Sequence, residues 1–192
     1  MSINRFGSLQ FAGMVANFLL FEVAWFAAVS GGAGGWPWLG SVPALVVVAL
    51  HLAFNAGRLA QEAILIAGIT LLGILVEGGF LASGIITYAG TDAGQWAPPI
   101  WIIALWFGFG TLPHASLSWL SGRWVLQALL GAICGPLSYV AGEALGAAQI
   151  AEPRLWSIGV IGMGWAVALP LMFVMADALA RWPRLASQAL QD

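Results

Sequence analysis

The sequence predicts an all-α membrane protein, a polytopic bundle of six transmembrane helices with both termini cytoplasmic (N-in/C-in) and several helices kinked by proline. Three observations carry that expectation. Of the 192 residues, 61% are hydrophobic and 7% charged, whereas soluble domains carry roughly 25% charge. The apolar residues fall in runs of about 20, the length a helix needs to cross a hydrocarbon core of about 30 Å. Nearly all the arginines fall on one side of the bundle those runs imply.

The same composition excludes other classes. A mean hydropathy of +0.93 is incompatible with disorder, which needs low hydrophobicity and high charge. The net charge of −2, with no lysine, leaves no basic surface for nucleic acid. Cys134, the single cysteine, rules out an intrachain disulfide or a thiolate metal cluster.

The first expected span is residues 11–30. Its apolar run exceeds the roughly 7–15 residues of a signal-peptide core and no A-x-A site follows, so it reads as a permanent helix. Gly31, Gly32, Gly34 and Gly35 separate it from the second span, 36–54, which contains Pro43. The turn-forming Asn55-Ala56-Gly57-Arg58 leads to the third span, 62–87. Gly90-Thr91-Asp92-Ala93-Gly94 precedes the fourth, 97–119, with Pro113 inside it. Ser121-Gly122-Arg123 introduces the fifth, 124–148, with Pro136, and Glu152-Pro153-Arg154 the sixth, 155–179, with Pro170. No gap has room for a second fold, so residues 1–192 read as a single transmembrane domain.

Arg5, Arg58, Arg123, Arg181 and Arg184 then share one side, and Arg154 alone falls on the other. Positive charge favours the cytoplasmic face, which places both termini there. Trp36, Trp38, Trp96, Trp101 and Trp156 mark the opposite interface as an aromatic belt, and Trp119, Trp124 and Trp182 the cytoplasmic one. Small residues at four-residue spacing, Gly131 with Gly135, Gly142 with Gly146 and Gly162 with Ala166, predict close packing of the last two helices within one bundle.

Polar residues inside spans carry the functional expectation, because an ionisable group near a bilayer centre costs at least ~2.5–3.5 kcal/mol. At 1.5 Å per residue, Asn17, His51 and His114 share a layer roughly 8–10 Å from the cytoplasmic ends of their spans. Glu22 and Glu77 lie deeper, and Glu143 lies in the outer half. Glu62 and Asp177 fall near cytoplasmic ends, where water would reach them. Helical spacing draws three stripes: Thr70, Gly73, Glu77 and Gly84; Thr111, His114, Ser118 and Ser121; and Gly135, Tyr139, Gly142, Glu143 and Gly146. On three consecutive helices they predict a shared interior cavity, in which Thr70 is the partner offered to Glu77.

Three strings are distinctive in combination: Asn17-Phe18-Leu19-Leu20-Phe21-Glu22-Val23-Ala24-Trp25-Phe26; residues 101–119, with Leu105-Trp106-Phe107 and Thr111-Leu112-Pro113-His114; and Gly135-Pro136-Leu137-Ser138-Tyr139-Val140-Ala141-Gly142. Over residues 17–148 the chain resembles a bacterial integral-membrane family known as domain-of-unknown-function family 2878. The resemblance implies a small multi-pass protein of the bacterial inner membrane. It also implies lipid chemistry, since members resemble components of gene sets that modify membrane fatty acids. It transfers no catalytic residue.

The leading functional expectation is a lipid-phase enzyme or accessory factor acting on an acyl or isoprenoid-like substrate in an intramembrane cavity. Glu22, Glu77 or Glu143 would act as acid or base with His114 as partner, and Asn17, His51, Thr111, Ser118 and Tyr139 are the candidate binding residues. The alternatives are a non-catalytic membrane scaffold and a small proton-coupled transporter using Glu22 and Glu77. Membrane lipid is the expected partner, with a homo-oligomer or a second membrane protein as the protein-partner class; no metal site and no cofactor are expected. One exception is worth testing: His51 and His114, at one depth on parallel spans, would ligate a haem if their Nε2 atoms met the iron.

Overall fold

A computed structural model describes residues 3–91 and 95–188, with side chains for 10–91 and 95–181. Residues 92–94 of the expected turn and the side chains of Arg5, Trp182 and Arg184 lie outside the described residues. Six α-helices dominate: α1 (Ile3–Ala33), α2 (Pro37–Phe54), α3 (Leu59–Ala82), α4 (Ile100–Phe109), α5 (Trp124–Ala144) and α6 (Arg154–Gln188). All but α4 are long and apolar enough to cross a membrane. The helix starts follow local chemistry. Pro37 takes the first position of α2, where its missing N–H costs nothing, and the extended Pro99 launches α4.

Two features differ from the sequence expectation. The stretch 97–119 is not one helix. After ten residues α4 ends at Phe109, about 15 Å of rise, and residues 110–117 run as consecutive turns into a 3-10 turn at Ser118–Leu120. Gly108 and Gly110 flank the break, Pro113 disfavours a helical conformation at Leu112, and Thr111 Oγ1 donates to the Gly108 carbonyl at 2.9 Å. Pro113 therefore lies outside any helix, whereas Pro43, Pro136 and Pro170 lie within α2, α5 and α6.

The fold is also not purely α. The third and fifth spans stop short of 87 and 148, and two strands follow them, β1 (Ile86–Tyr88) and β2 (Ala148–Ile150). Gly84 and Gly146, at φ +73 and +81, turn the chain out of α3 and α5 through the left-handed region that glycine tolerates. The strands pair antiparallel, Ile86 with Ile150 and Tyr88 with Ala148. This sheet ties the C-terminal ends of α3 and α5 together at one end of the bundle. The chain between Tyr88 and Trp124 must therefore travel the length of α5, and α4 with the turns after it makes that journey.

The core lies where α3, α4 and α6 meet, around Leu65, Ile69, Trp106, Met172 and Phe173. Outward faces are equally apolar. Val125, Leu129, Ile133 and Leu137 repeat every fourth residue along α5 and are all exposed, a surface suited to lipid rather than water. The α5–α6 seam is as close as the small residues predict: a Cβ on Gly131 would strike the Trp165 carbonyl, and one on Gly162 would approach the Ala132 carbonyl to 3.0 Å. Gly142 and Gly146 do not take part, with nothing within 4 Å of an added Cβ. Trp36, Trp38, Trp96, Trp119, Trp124 and Trp156 are exposed, in keeping with interface positions. Trp101 is not: it is buried in the core and donates to the Ala89 carbonyl at 3.3 Å.

Candidate functional site

Glu77, on α3, is 2% exposed and ends in a closed hydrogen-bond network. Its Oε1 accepts the Tyr139 hydroxyl at 2.6 Å and the Trp106 indole N–H at 2.9 Å, and its Oε2 accepts the Tyr88 hydroxyl. The Tyr139 oxygen in turn accepts the Trp165 N–H at 3.1 Å. The chain has two tyrosines, and both end on this carboxyl. Thr70, the partner its stripe offered, instead donates to the Ile66 carbonyl at 2.7 Å.

Helix periodicity explains how the network is seated. One turn before Glu77 lies Gly73, and one turn before Tyr139 lies Gly135. A Cβ on Gly73 would collide with the Trp106 ring, and one on Gly135 with the Trp165 ring. Those two indoles stack at 4.9 Å and 19°. Each glycine thus admits the indole that hydrogen-bonds the polar group one turn further along its helix.

Beside the network is a cavity of about 530 Å³, within the roughly 300–1,000 Å³ typical of small-molecule sites. Glu77, Tyr88 and Tyr139 line it together with Glu22 and Trp25 of α1; Trp101, Leu105 and Phe109 of α4 and Trp165 of α6 complete the lining. The sheet closes one end through Tyr88 and Ala148, and Leu112, Leu117 and Leu120 from the turns after α4 close the other. Phe18 and Phe26 on α1 and Cys134 on α5 also line it and are exposed, so the mouth opens sideways between α1 and α5. Glu22 is half-buried and has no hydrogen-bond or ionic partner among the described residues.

The layer of Asn17, His51 and His114 is a separate cluster. At its centre stands Glu62, which the sequence reading set aside as water-exposed and which is in fact 2% exposed. His51 Nε2 meets Glu62 Oε2 at 3.0 Å, and His114 Nδ1 meets Oε1 at 3.0 Å. His114 Nε2 faces the Ala176 carbonyl at 3.1 Å. His114 thus uses both ring nitrogens, one toward the Glu62 carboxyl of α3 and the other toward the Ala176 carbonyl of α6. Asn17 accepts from the Ser116 hydroxyl at 2.8 Å and donates to Thr111 Oγ1 at 3.2 Å. These bonds pin the non-helical residues after α4 to α1, α3 and α6.

The remaining candidates lie elsewhere. Glu143 meets Arg154 at 2.6 Å and accepts the Ile150 N–H at 2.8 Å, tying α5 to β2 and the start of α6. Ser118 is exposed and opens the 3-10 turn. Asp177 accepts from Ser121 at 2.7 Å in an exposed position. The structure thus brings together Glu22, Glu77 and Tyr139 in one cavity, and His51, His114, Asn17 and Thr111 in another cluster; His114 does not line the cavity. Glu62 bridges the two imidazoles, His51 through Nε2 and His114 through Nδ1. Among the described residues, no group of three or more His, Cys, Asp and Glu side chains is arranged to hold a metal ion.

Sequence reading missed Glu62, Tyr88, Trp106 and Trp165. Rarity is the signal that would have found two of them. With two tyrosines and two histidines in the whole chain, each pair has reason to share a partner.

In comparisons with known proteins, the model of a family described as "Protein of unknown function (DUF2878)" matches residues 14–171. Nothing matches among curated proteins or among solved structures.

Proposed function

The chain belongs to the DUF2878 family, whose description names no activity, and we propose its function from the cavity. It is a multi-pass protein of the bacterial inner membrane that takes one apolar chain, acyl or isoprenoid-like, sideways from the bilayer, as an enzyme or accessory factor in lipid chemistry. One observation carries the reading: an aromatic cavity of about 530 Å³ with a lateral mouth contains both deep carboxyls, Glu22 and Glu77. An apolar lining with a few convergent polar groups is the usual form of a ligand site. A mouth between two lipid-facing helices suits a ligand dissolved in the membrane. Glu77 is held by three donors, so Glu22 is the carboxyl free to exchange a proton with a ligand.

The reading includes six crossings with both termini cytoplasmic. The pairing of β1 with β2 supports it, because it obliges the chain through α4 to return along the bundle. The turns after α4 are buried against protein at Thr111, Leu112 and Leu120, the condition under which non-helical backbone is tolerated at membrane depth. A proton-coupled carrier is the second reading, favoured by the placement of Glu22 and Glu77 in one cavity.

The test is lipid retention. Protein purified into nanodiscs of defined lipid should carry a co-purifying chain detectable by mass spectrometry. Ala141→Trp, at the half-buried cavity wall, should lose it while keeping the folded thermal transition. Equal retention by both proteins overturns the reading.

A further inference from the structure

The cavity's charge pattern restricts what the polar end of that ligand can be. Its lining has two carboxyls, Glu22 and Glu77, and among the described residues no arginine or histidine. The two histidines are bound to Glu62 outside it, and Arg154 is held by Glu143. An anionic head, phosphate or carboxylate, would meet no counter-charge there and would sit near acids in a low-dielectric space, where like charges repel strongly.

The two carboxyls are not equivalent. Glu77 accepts from Tyr88, Tyr139 and Trp106 and has little capacity left. Glu22, half-buried in the same lining, has no partner among the described residues. Much of the lining it shares is aromatic. Phe21 packs edge-on to Phe109 at 5.4 Å, Phe109 to Trp165 at 5.6 Å, and Trp165 stacks on Trp106. Ring faces carry negative partial charge and attract cations, more strongly when desolvated. An unpaired carboxyl within such a wall lacks one thing, a positive charge.

We propose that the cavity takes a lipid whose polar end is an ammonium group, with Glu22 as its counter-ion and the indole and phenyl faces enclosing it. This rests on the reading of the cavity as a lipid-chain site and specifies which chain it selects.

The experiment compares three probes with one tail and different heads: oleylamine, oleyl alcohol and oleate. Displacement of a brominated hydrocarbon that quenches the cavity tryptophans reports binding in nanodiscs of neutral lipid at pH 7, with Ala141→Trp correcting for partition into the bilayer. The expected order is amine, then alcohol, then oleate, with the amine at least tenfold tighter than the alcohol. Glu22→Gln, nearly isosteric, should erase the amine's advantage and leave the alcohol unchanged. An amine that binds no tighter than the alcohol, or whose advantage survives in Glu22→Gln, overturns the ammonium proposal and leaves the chain site standing. If none of the three distinguishes the wild-type protein from Ala141→Trp, the chain site itself is wrong and the ammonium proposal falls with it.

Discussion

His114 and Glu62 stand 3.0 Å apart across 52 residues of sequence, and this pair ties the non-helical stretch after α4 to α3. The carboxylate comes from the first turn of α3, the imidazole from the turns that follow α4. Through its other nitrogen the same ring reaches the Ala176 carbonyl of α6. Residues 110–117 run as turns held by scattered backbone bonds rather than a continuous helical ladder, so such side-chain ties help to set their position.

The first prediction concerns that dependence. Removing one partner of a buried hydrogen bond leaves the other unsatisfied, at a cost of about 1–3 kcal/mol and more for a charged group. Glu62→Ala should therefore lower the thermal unfolding midpoint sharply in detergent and expose residues 110–117 to protease. His51→Gln, which leaves the His114 bond intact, should cost less. If the two variants unfold alike, His114 does not anchor the segment.

A second prediction tests the seating of the indoles. Gly73→Ala drives a methyl group into the Trp106 ring, and overpacking of this kind typically costs about 1–3 kcal/mol. The displaced indole also loses its bond to Glu77. The variant should be less stable with a shifted tryptophan emission, whereas Gly79→Ala, where an added Cβ meets nothing within 4 Å, should change neither.

Much of the architecture was legible in the sequence because bilayer physics acts on composition. Runs of about 20 apolar residues have few alternatives to helix, and five long apolar helices lie where those runs are. The break after Phe109 was harder to see: residues 110–119 follow an apolar run and contain no Asp, Glu, Lys or Arg, and hydropathy does not register whether a backbone is helical. The strands were hidden in the tails of two apolar runs, where β-branched Ile85-Ile86-Thr87 and the glycine before them decide the matter locally. For the site, helical stripes brought forward Glu77 and Tyr139, whose side chains meet in one hydrogen bond. They did not show that Glu62, a carboxyl at a helix start, would be buried against His51 of α2 and His114 after α4, because burial at a helix end is set by packing between segments remote in sequence.

A third prediction separates the members of the Glu77 network. Groups in one hydrogen-bonded network couple by about 0.5–3 kcal/mol in double-mutant cycles. Tyr139→Phe and Glu77→Gln should each destabilise, and the double variant should lose less than their sum. Strict additivity would mean the 2.6 Å contact contributes nothing to folding.

Topology supplies the fourth. Reporter fusions at the two termini should both give cytoplasmic signals, as the arginine distribution and an even number of crossings require. A periplasmic signal from either terminus removes the six-crossing arrangement.

The last prediction turns on the difference between the two deep carboxyls. Glu77 is satisfied by three donors, so its loss should weaken the fold. Glu22 has no partner among the described residues, and an unpaired ionisable group within a span costs at least ~2.5–3.5 kcal/mol near the bilayer centre. Glu22→Leu should therefore raise the unfolding midpoint even as it removes the cavity's free acid, the trade of stability against function expected where a strained or unpaired group is kept for use. Cys134, the single cysteine and exposed at the cavity mouth, gives a second readout. An apolar maleimide should label it in both proteins, and an added long-chain amine should slow labelling in the wild type only. If Glu22→Leu instead unfolds at a lower temperature than the wild type, Glu22 is a structural group and its place in the cavity is not functional.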